Sequence, residues 1–382
     1  MIQFINNIDA DRLRMAYNND ILHFYSTVPQ TPGLCDITFN GQHIRTYPSP
    51  NGYFKINLKQ YVTAAINTRN FEDILNPSLQ GAIPSSYVYN FTNGTYLATT
   101  INITIYNSGS GFQDSGSFDL AWLAGAEQLG DYRRYAKTDY FVLSPLKRDS
   151  NQHYYLKYWE GYPFDIGLYT PNSRYFYIKG DVMAFYNAVF QNQYRVARLV
   201  ISDGLTDVNI ENVIPLVEGY NELRYKANTR DSSNDKFITL QKVPCKEGVY
   251  LKWLNKYGAY NYWLFENTYS IDRSTKYTGE LDRDFANLEQ MYGRTTQIGK
   301  ESQDTMKIMA ELLNDDERRV VEGILDSPKI YLFTGKPLSR NTNRDWIEVT
   351  LKTTNSRIKN SKQPLTNFTF DIELPQRFTQ TL

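Results

Sequence analysis

Cysteine and histidine, the residues that most often bind metals or form nucleophile–base pairs, are scarce in this chain. Two cysteines and three histidines occur among 382 residues. Cys35 and Cys245 lie far apart, and the sequence contains no CxxC and no close Cys/His spacing. Neither a zinc site nor a disulfide framework is therefore indicated. We interpret both cysteines as buried thiols of a protein that folds in a reducing cytosol.

The motifs of common catalytic sites are also missing. His23, His43 and His153 stand outside any G-x-S-x-G or H-E-x-x-H context, and we interpret them as surface or strand residues. No phosphate-binding glycine loop and no calcium-binding loop motif occurs. We therefore expect no enzymatic activity, no cofactor and no metal.

Two weaker possibilities for chemistry stay open in the sequence. Asp203, Asp207 and Glu211 cluster in "SDGLTDVNIEN", which favours a solvated turn over a weak cation site. A pair of carboxylates for glycoside hydrolysis is defined by its separation in space, so the sequence does not test it.

Long apolar runs and an excess of one charge are absent as well. No stretch of about 18 apolar residues occurs, so we expect no membrane span. The first twenty residues carry charges every few positions and lack the apolar core of a signal peptide. Lysine plus arginine equals aspartate plus glutamate at 41 each, which argues against nucleic acid or an anionic membrane as the main partner.

Tyrosine and β-type patterns are what the chain has in abundance. Its 31 tyrosines favour strands and half-buried contact surfaces. Asn40-Gly41 between two alternating runs predicts a tight type I′ hairpin, and 95–107 predicts a strand followed by a Gly/Ser loop, "NSGSGFQDSGS". Two similar segments, 155–169 and 250–265, each predict strand, turn and strand, which suggests two related hairpins. Trp159, Trp253, Trp263 and Trp346 are interpreted as sheet core.

Helices are predicted only late in the chain. Met306, Met309, Ala310 and Leu313 recur at helical spacing over 301–314. Asn314 with Glu317 then resembles a capping box that starts a second helix, whose apolar stripe is Val320, Val321, Ile324 and Leu325. Pro328 follows that helix and ends it.

These patterns predict a mainly β protein with two or more β-sandwich-like domains and a short helical pair near residues 301–325. The expected division is an N-terminal β-rich domain over 1–137 and a β-sandwich-like domain with two related hairpins over 138–275. The helical pair and closing strands then occupy 276–382 and pack on the preceding domain.

Three motifs in order resemble a known group of proteins. They are "LKYWEGYPFDI", "CKEGVYLKWLNKYGAYNYWLF" and "SPKIYLF…WIEVTLK…NFTFDIELP", which together cover roughly 140–375. This set is similar to structural neck and tail ring proteins of crAss-like and related Bacteroidetes phages. By that resemblance the motif residues are architectural, namely Tyr155, Leu156, Tyr158, Trp159, Gly161, Pro163, Cys245, Gly248, Trp253, Asn255, Gly258, Tyr262, Trp263, Phe265, Ser327 and Pro328.

The resemblance implies a non-catalytic virion subunit, made in the host cytoplasm, in a ring between portal and tail. It also implies the partners. Copies of the chain would form a twelve-fold homo-oligomer that contacts other ring, tail or portal proteins. Genomic DNA would pass through the lumen without specific binding. The alternative is a tail-associated receptor- or glycan-binding module, which would expose aromatic patches. A glycan-degrading enzyme with two carboxylates in one cleft is the third hypothesis.

Overall fold

A computed structural model describes 1–6, 8–68, 70–77, 87–128, 130, 134–150, 152–171, 177–180, 194–204, 208–213, 215–226, 235–266, 269–286, 288–291, 293–335, 345–360 and 362–381. Strands make up 53% of the structure and helices 7%, so the predicted mainly β class is confirmed. The strands form several sheets, consistent with a multi-domain protein of β-sandwich type.

The N-terminal region contains two sheets and one helix. β1 (Ile2–Phe4), β3 (Ile21–Ser26) and β6 (Phe54–Asn57) form a small sheet. A six-stranded sheet, in the order β10-β2-β9-β8-β4-β5, consists of β2 (Arg12–Met15), β4 (Pro32–Phe39), β5 (Gln42–Thr46), β8 (Tyr96–Asn107), β9 (Phe112–Leu123) and β10 (Tyr135–Ala136). One core cluster, which draws all its buried residues from 2–124, lies beneath them.

The middle of the chain forms two further sheets. A four-stranded sheet in the order β11-β14-β16-β7 consists of β7 (Val88–Asn90), β11 (Phe141–Val142), β14 (Pro163–Tyr169) and β16 (Val196–Asp203). A five-stranded sheet in the order β12-β13-β18-β17-β15 consists of β12 (Lys147–Arg148), β13 (His153–Trp159), β15 (Tyr177–Gly180), β17 (Gly219–Lys226) and β18 (Lys236–Val243).

The last sheet has seven strands in the order β20-β19-β23-β24-β25-β22-β21. They are β19 (Gly248–Leu254), β20 (Tyr260–Glu266), β21 (Tyr269–Asp282), β22 (Thr295–Leu313), β23 (Ile330–Phe333), β24 (Trp346–Leu351) and β25 (Thr366–Glu373). A second core cluster joins this sheet to the two middle sheets and includes N-terminal residues such as Tyr87 and Leu123. The expected domain boundaries at 137/138 and 275/276 stay a prediction.

The tight hairpin at Asn40-Gly41 is confirmed. Phe39 pairs with Gln42 across the turn, and both central residues have positive φ, 45° and 77°. The predicted strand at 95–107 is confirmed as β8, but the Gly/Ser loop after it is shorter than expected. β9 already starts at Phe112, because its backbone forms hydrogen bonds with β8 from that residue onward. The polar composition of 112–117 does not indicate this pairing.

The first of the two predicted late helices is wrong. Residues 301–313 belong to strand β22, in which Met306, Ile308 and Ala310 alternate into the core. The stretch carries both a helical and an alternating apolar pattern, and pairing with β21 and β25 selects the strand. A bulge at Leu312, whose φ is 54°, returns Leu313 to the buried face.

The second late helix is confirmed as α2 (Asp315–Glu322), with the predicted capping box. The Asn314 side chain accepts hydrogen bonds from the backbone N–H groups of Asp316 and Glu317, both at 3.0 Å. The helix ends before Leu325, although Ile324 beyond it is still buried. The structure contains a further helix that was not predicted, α1 (Lys59–Ile66). It packs Val62 and Ile66 into the N-terminal core.

Candidate functional site

The hairpin of the central motif is built from β19 and β20, which pair from Gly248–Glu266 to Leu254–Tyr260. All seven residues of β19 are buried, and Trp253 is fully enclosed. Gly248 faces the carbonyl oxygen of Phe265 so closely that an added Cβ would lie 2.4 Å from it. The predicted hairpin is therefore confirmed, and no side chain fits at Gly248 without movement of the backbone.

The hairpin turn also docks the hairpin onto the N-terminal region. The Asn255 side-chain oxygen accepts backbone N–H groups of Tyr257 and Ala259 at 2.9 and 3.1 Å, while its amide nitrogen donates to the Leu143 carbonyl at 3.0 Å. Gly258 has a φ of 75°, and a Cβ there would lie 2.6 Å from the Ala124 carbonyl oxygen. Asn255 and Gly258 thus shape a turn that lies directly against the end of β9.

The segment 155–169, which contains the upstream motif, is not a hairpin. β13 and β14 lie in different sheets, since β13 pairs with β12 and β18, whereas β14 pairs with β11 and β16. The predicted order of strand, turn and strand is correct, but the turn at Gly161, whose φ is 81°, connects two layers. The similarity to 250–265 lies in the turn, which has a glycine with positive φ in both segments. The flanking strands pair with each other only in 250–265.

The structure brings the first two motifs together in one aromatic core. Trp159 lies edge-on to Trp263 at 5.1 Å between ring centroids, and Tyr162 packs against Tyr250 at 4.6 Å. The Tyr250 hydroxyl donates to the Pro163 carbonyl at 2.9 Å. Among the other motif residues, Leu156, Tyr158, Tyr262 and Phe265 are buried, whereas Tyr155 is half-buried on the outer side of β13.

Cys245 is exposed, so the expectation of two buried thiols is wrong for it and confirmed only for Cys35. Cys245 precedes β19 and faces the turn of the first motif, because a Cβ added to Gly161 would lie 3.6 Å from its sulfur. Cys245, the first residue of the central motif, thus lies beside the turn of the first motif.

The third motif packs the next strand against β19. The Ser327 hydroxyl donates to the Lys329 carbonyl at 2.8 Å, and that carbonyl also accepts the Leu254 N–H at 3.1 Å. Pro328 lies between them, at the exit from α2. Trp253 then pairs with Ile330 of β23. All three motifs therefore converge on β19.

A buried cluster of charges, which the sequence reading missed, lies beside β19. It consists of Asp73, Asp165, Arg198 and Lys252, whose side chains are at most 7% exposed, together with the Tyr262 hydroxyl. Its formal charges balance, with two acids and two bases. The cluster joins β14, β16, β19 and β20 to the N-terminal segment 71–75. We refer to it as the charge cluster.

Arg198 is the centre of the charge cluster. Its Nη1 donates to Asp73 Oδ1 at 2.7 Å, and its Nε and Nη2 donate to the two carboxylate oxygens of Asp165 at 2.9 and 2.6 Å. The guanidinium lies against the neighbouring rings of Phe91 and Tyr260, 5.0 and 4.9 Å from their centroids. Both carboxylates and both rings stabilise the buried cation.

Lys252 completes the charge cluster. Its Nζ donates to Asp73 Oδ2 at 2.6 Å and lies 4.2 Å from the Trp346 ring centroid. Burial would raise the pKa of Asp73, but Arg198 and Lys252 outweigh burial and hold that pKa well below its usual range. Burial lowers the pKa of Lys252, an effect that Asp73 only partly offsets. Burial and the neighbouring Asp165 raise the pKa of Tyr262.

A signal for the charge cluster exists in the sequence. Asp165, Arg198 and Lys252 are each single charges within the apolar runs "PFDIGLY", "VARLVIS" and "VYLKWL". A charge in the middle of a buried strand requires a buried partner. Asp73, in contrast, lies in a polar segment, and only the fold places it in the core.

The charge cluster is not a pair of carboxylates of the glycosidase type. Asp73 and Asp165 are both held by Arg198 inside the core, so they do not form the open carboxylate pair that glycoside hydrolysis needs. No group of three or more metal-type ligands occurs in the described ranges. Asp203 is buried rather than solvated and binds the Val208 N–H, Glu211 pairs with Lys242, and Asp207 lies outside the described residues.

The histidines lie on strands, as expected. His23 is in β3, His43 is exposed in β5, and His153 of β13 lies 2.8 Å from the Thr239 hydroxyl.

A surface groove of about 620 Å³ runs between the end of α2 and β24. Its lining contains Asp326 and Glu348 but no histidine, cysteine, lysine or arginine. Trp159, Trp253 and Trp263 are buried and Trp346 is half-buried, which confirms that they belong to the sheet core.

Comparisons with known proteins do not assign a family. No family model and no curated protein matches the chain. Fibronectin(III)-like modules of Clostridium thermocellum CbhA match at 7% identity over 64% of this chain and 95% of theirs, with a TM-score of 0.20. A titin Z1Z2 tandem matches at 11% identity over 64% and 99%, and an ice-binding bacterial adhesin at 10% over 81% and 91%, both with a TM-score of 0.17. At these TM-scores the likenesses carry no argument about fold or function. No helix in the described part of the chain has the length and apolarity to cross a bilayer.

Proposed function

We propose that this chain is a non-catalytic structural subunit of a phage virion, placed in a neck or tail ring between portal and tail. The observation that carries the proposal is the convergence of all three motifs on β19. Residues that resemble a ring-protein signature thereby serve packing in this fold. In the proposed particle, copies form a ring of twelve, contact other ring, tail or portal proteins, and surround a lumen through which DNA passes.

Physical chemistry supports an assembly role. The chain is formally neutral, so copies of it do not repel each other through net charge. Head-to-tail contacts between identical subunits close into a ring when the rotation between them fits. Tyrosine is enriched in the cores of such interfaces. Several tyrosines remain exposed, including Tyr47 and Tyr220, each at 69%.

Exposed aromatic side chains also favour the second candidate, a receptor- or glycan-binding module. Sugar rings stack on such side chains, and Tyr277 is 55% exposed on the surface of β21. Unlike the ring subunit, this module would act as a monomer or trimer that binds host capsule or cell-surface glycan.

Peptide mass spectrometry of purified virions from the host of origin tests the virion assignment directly. Light scattering and negative-stain imaging of the purified protein test the ring. We expect peptides of this chain in the virion at a stoichiometry near that of the portal. We also expect the purified protein to form rings of about a dozen subunits. Absence from the virion would overturn the proposal. A small oligomer that binds host glycan would favour the receptor-binding alternative.

A further inference from the structure

A long two-stranded ribbon, which neither the motifs nor the charge cluster involves, projects from the seven-stranded sheet. It comprises β21, the tip 283–294 and the first part of β22 up to Gln303, and we call it the arm. β21 pairs with β22 from Tyr269–Ile308 to Asp282–Thr295, whereas β25 pairs with β22 only from Thr305 onward. Beyond that point the arm continues with two strands alone. Residues after β25 touch its β22 side at Gly299, Lys300 and Gln303.

The outer strand of the arm, β21, is open to solvent along its length, whereas the first part of β22 is partly covered. Every residue of β21 except Gly279 is exposed, and the alternation between buried and exposed residues that marks a packed strand is missing. The outer edge of β21 has no strand partner among the described residues. A two-stranded ribbon is only marginally stable by itself in water, and an unpaired edge readily pairs with another chain.

The tip of the arm exposes three large apolar side chains. Phe285 is 98% exposed, Leu288 93% and Met291 71%. Along the ribbon, Tyr277 and Leu281 are also more than half exposed. Such a concentration of exposed apolar surface marks an interaction site, because isolated exposed residues are ordinary and a contiguous group is not.

Charge identifies the kind of partner. Between 272 and 294 the arm carries four basic and five acidic residues, which are Arg273, Lys276, Arg283 and Arg294 with Asp272, Glu280, Asp282, Asp284 and Glu289. Acids and bases both flank the apolar tip residues, so the tip has no excess of positive charge that would attract an anionic lipid surface or nucleic acid. A mixed and nearly neutral arm instead matches the mixed and neutral surface of another copy of this chain.

The available area is that of a small interface. The two-stranded part of the arm contains nine residues of β21, from Ser274 to Asp282, which at about 3.4 Å each extend roughly 31 Å, and two strands are about 10 Å wide. The two faces together offer on the order of 600 Å², to which the apolar tip adds, against the roughly 800 Å² that each partner buries in a standard interface. Most of this surface becomes buried only if the arm lies along the body of a neighbour.

We propose that the arm binds a second copy of this chain, with the β21 edge and the apolar tip packed against the body of the neighbouring subunit. The contact is head-to-tail, because arm and body are different surfaces, and it therefore suits a closed ring. The inference rests on the self-association in the proposed function and is independent of where the protein acts.

The first test compares the association of variants by light scattering over a concentration series. The arm variant carries Phe285→Ser, Leu288→Ser and Met291→Ser, and its matched control carries Ile5→Ser and Phe112→Ser at exposed apolar positions outside the arm and the C-terminal tail. We expect at least about a tenfold loss of association for the arm variant and wild-type association for the control. The melting temperature of the monomer should be unchanged in both, since the replaced side chains contribute little to the core.

The second test locates the contact. Copies labelled with ¹⁵N are mixed with unlabelled copies of a Phe285→p-benzoylphenylalanine variant, and photo-crosslinks are identified by mass spectrometry. Crosslinks from position 285 to the body of labelled chains are expected. A wild-type chain that remains monomeric up to its solubility limit, an arm variant that associates like wild type, or crosslinks within a single chain would overturn the inference. So would association lost equally in the control, or binding to neutral lipid vesicles without self-association.

These tests separate the arm from the proposed function. If the protein is present in virions while the arm variant still associates, the inference about the arm fails and the virion assignment stands. If the arm variant loses association and the protein is absent from virions, the reverse holds.

Discussion

At the scale of single residues, the aromatic core and the charge cluster stabilise the same part of the molecule by different physical effects. Trp159, Trp263 and Tyr250 contribute by removing apolar surface from water. Asp73, Asp165, Arg198 and Lys252 contribute little net attraction, because the desolvation of four charges offsets most of their Coulomb energy. Their effect is on specificity, since any arrangement that leaves one of them unpaired is strongly disfavoured.

Replacement of a core tryptophan measures the first effect. Trp263→Ala should lower the free energy of unfolding by about 3 to 5 kcal/mol, because it leaves a cavity beneath Trp159 and Lys157. Urea unfolding followed by circular dichroism is the measurement, and Tyr220→Ala at an exposed position is the control. An unchanged unfolding midpoint for Trp263→Ala would show that this ring is not part of the core.

Replacement of one acid measures the second effect. Asp73→Asn keeps the side-chain shape but leaves Arg198 and Lys252 with Asp165 as their single counter-charge, so we expect a loss of about 3 to 5 kcal/mol in the free energy of unfolding. Asp36→Asn, which breaks an exposed pair with Arg45, should change it by less than about 1 kcal/mol. Equal effects of the two substitutions would contradict a buried cluster.

Acid should weaken the charge cluster. The pKa of Asp73 is lower in the folded chain than its unfolded value of about 3.9, so its stabilising contribution is complete above that value and is lost as the pH falls toward the folded pKa. Wild type should therefore lose stability more steeply below about pH 4 than Asp73→Asn does. Urea titrations at a series of pH values compare the two slopes, and parallel slopes would argue against the lowered pKa.

At the scale of elements, the turn of the central hairpin both closes the hairpin and contacts another part of the chain. Gly258 and Gly41 have nearly the same φ, 75° and 77°, but only Gly258 has backbone within reach of an added Cβ. Gly258→Ala should therefore be less stable than Gly41→Ala by about 1 to 3 kcal/mol, the usual effect of overpacking. Thermal unfolding of the two variants makes the comparison, and equal losses would mean that the turn can move away from Ala124.

The same scale shows where sequence patterns are decisive and where they are not. The capping box at Asn314 and the Asn40-Gly41 hairpin were predictable, because their geometry depends on neighbouring residues only. The strand at 301–313 was not predictable, because its apolar residues fit both the helical and the strand period. Its sheet partners lie elsewhere in the chain. The predicted hairpin around Gly161 is wrong for the same reason, because the residues of a turn do not specify which strands pair.

At the scale of the whole molecule, charge balance predicts how association responds to salt. Copies without net charge exert no long-range field on each other, and the arm offers mainly apolar contacts with charges of both signs. We expect the association constant to change by less than about tenfold between low and physiological salt. Sedimentation velocity over a salt series measures it. A steep loss with salt would indicate that ion pairs dominate the contact.

By itself, the sequence determined the mainly β class, the hairpins with glycine at positive φ, the capped helix and the membership of the tryptophans in the core. These features follow from local backbone preferences and from the burial of apolar side chains, which short stretches encode. The tertiary structure alone decided that Asp73 enters the core, that residues 155–169 span two sheets and that the arm projects without cover. Each of these depends on contacts between residues distant in the chain, and such contacts are selected by the packing of the whole fold.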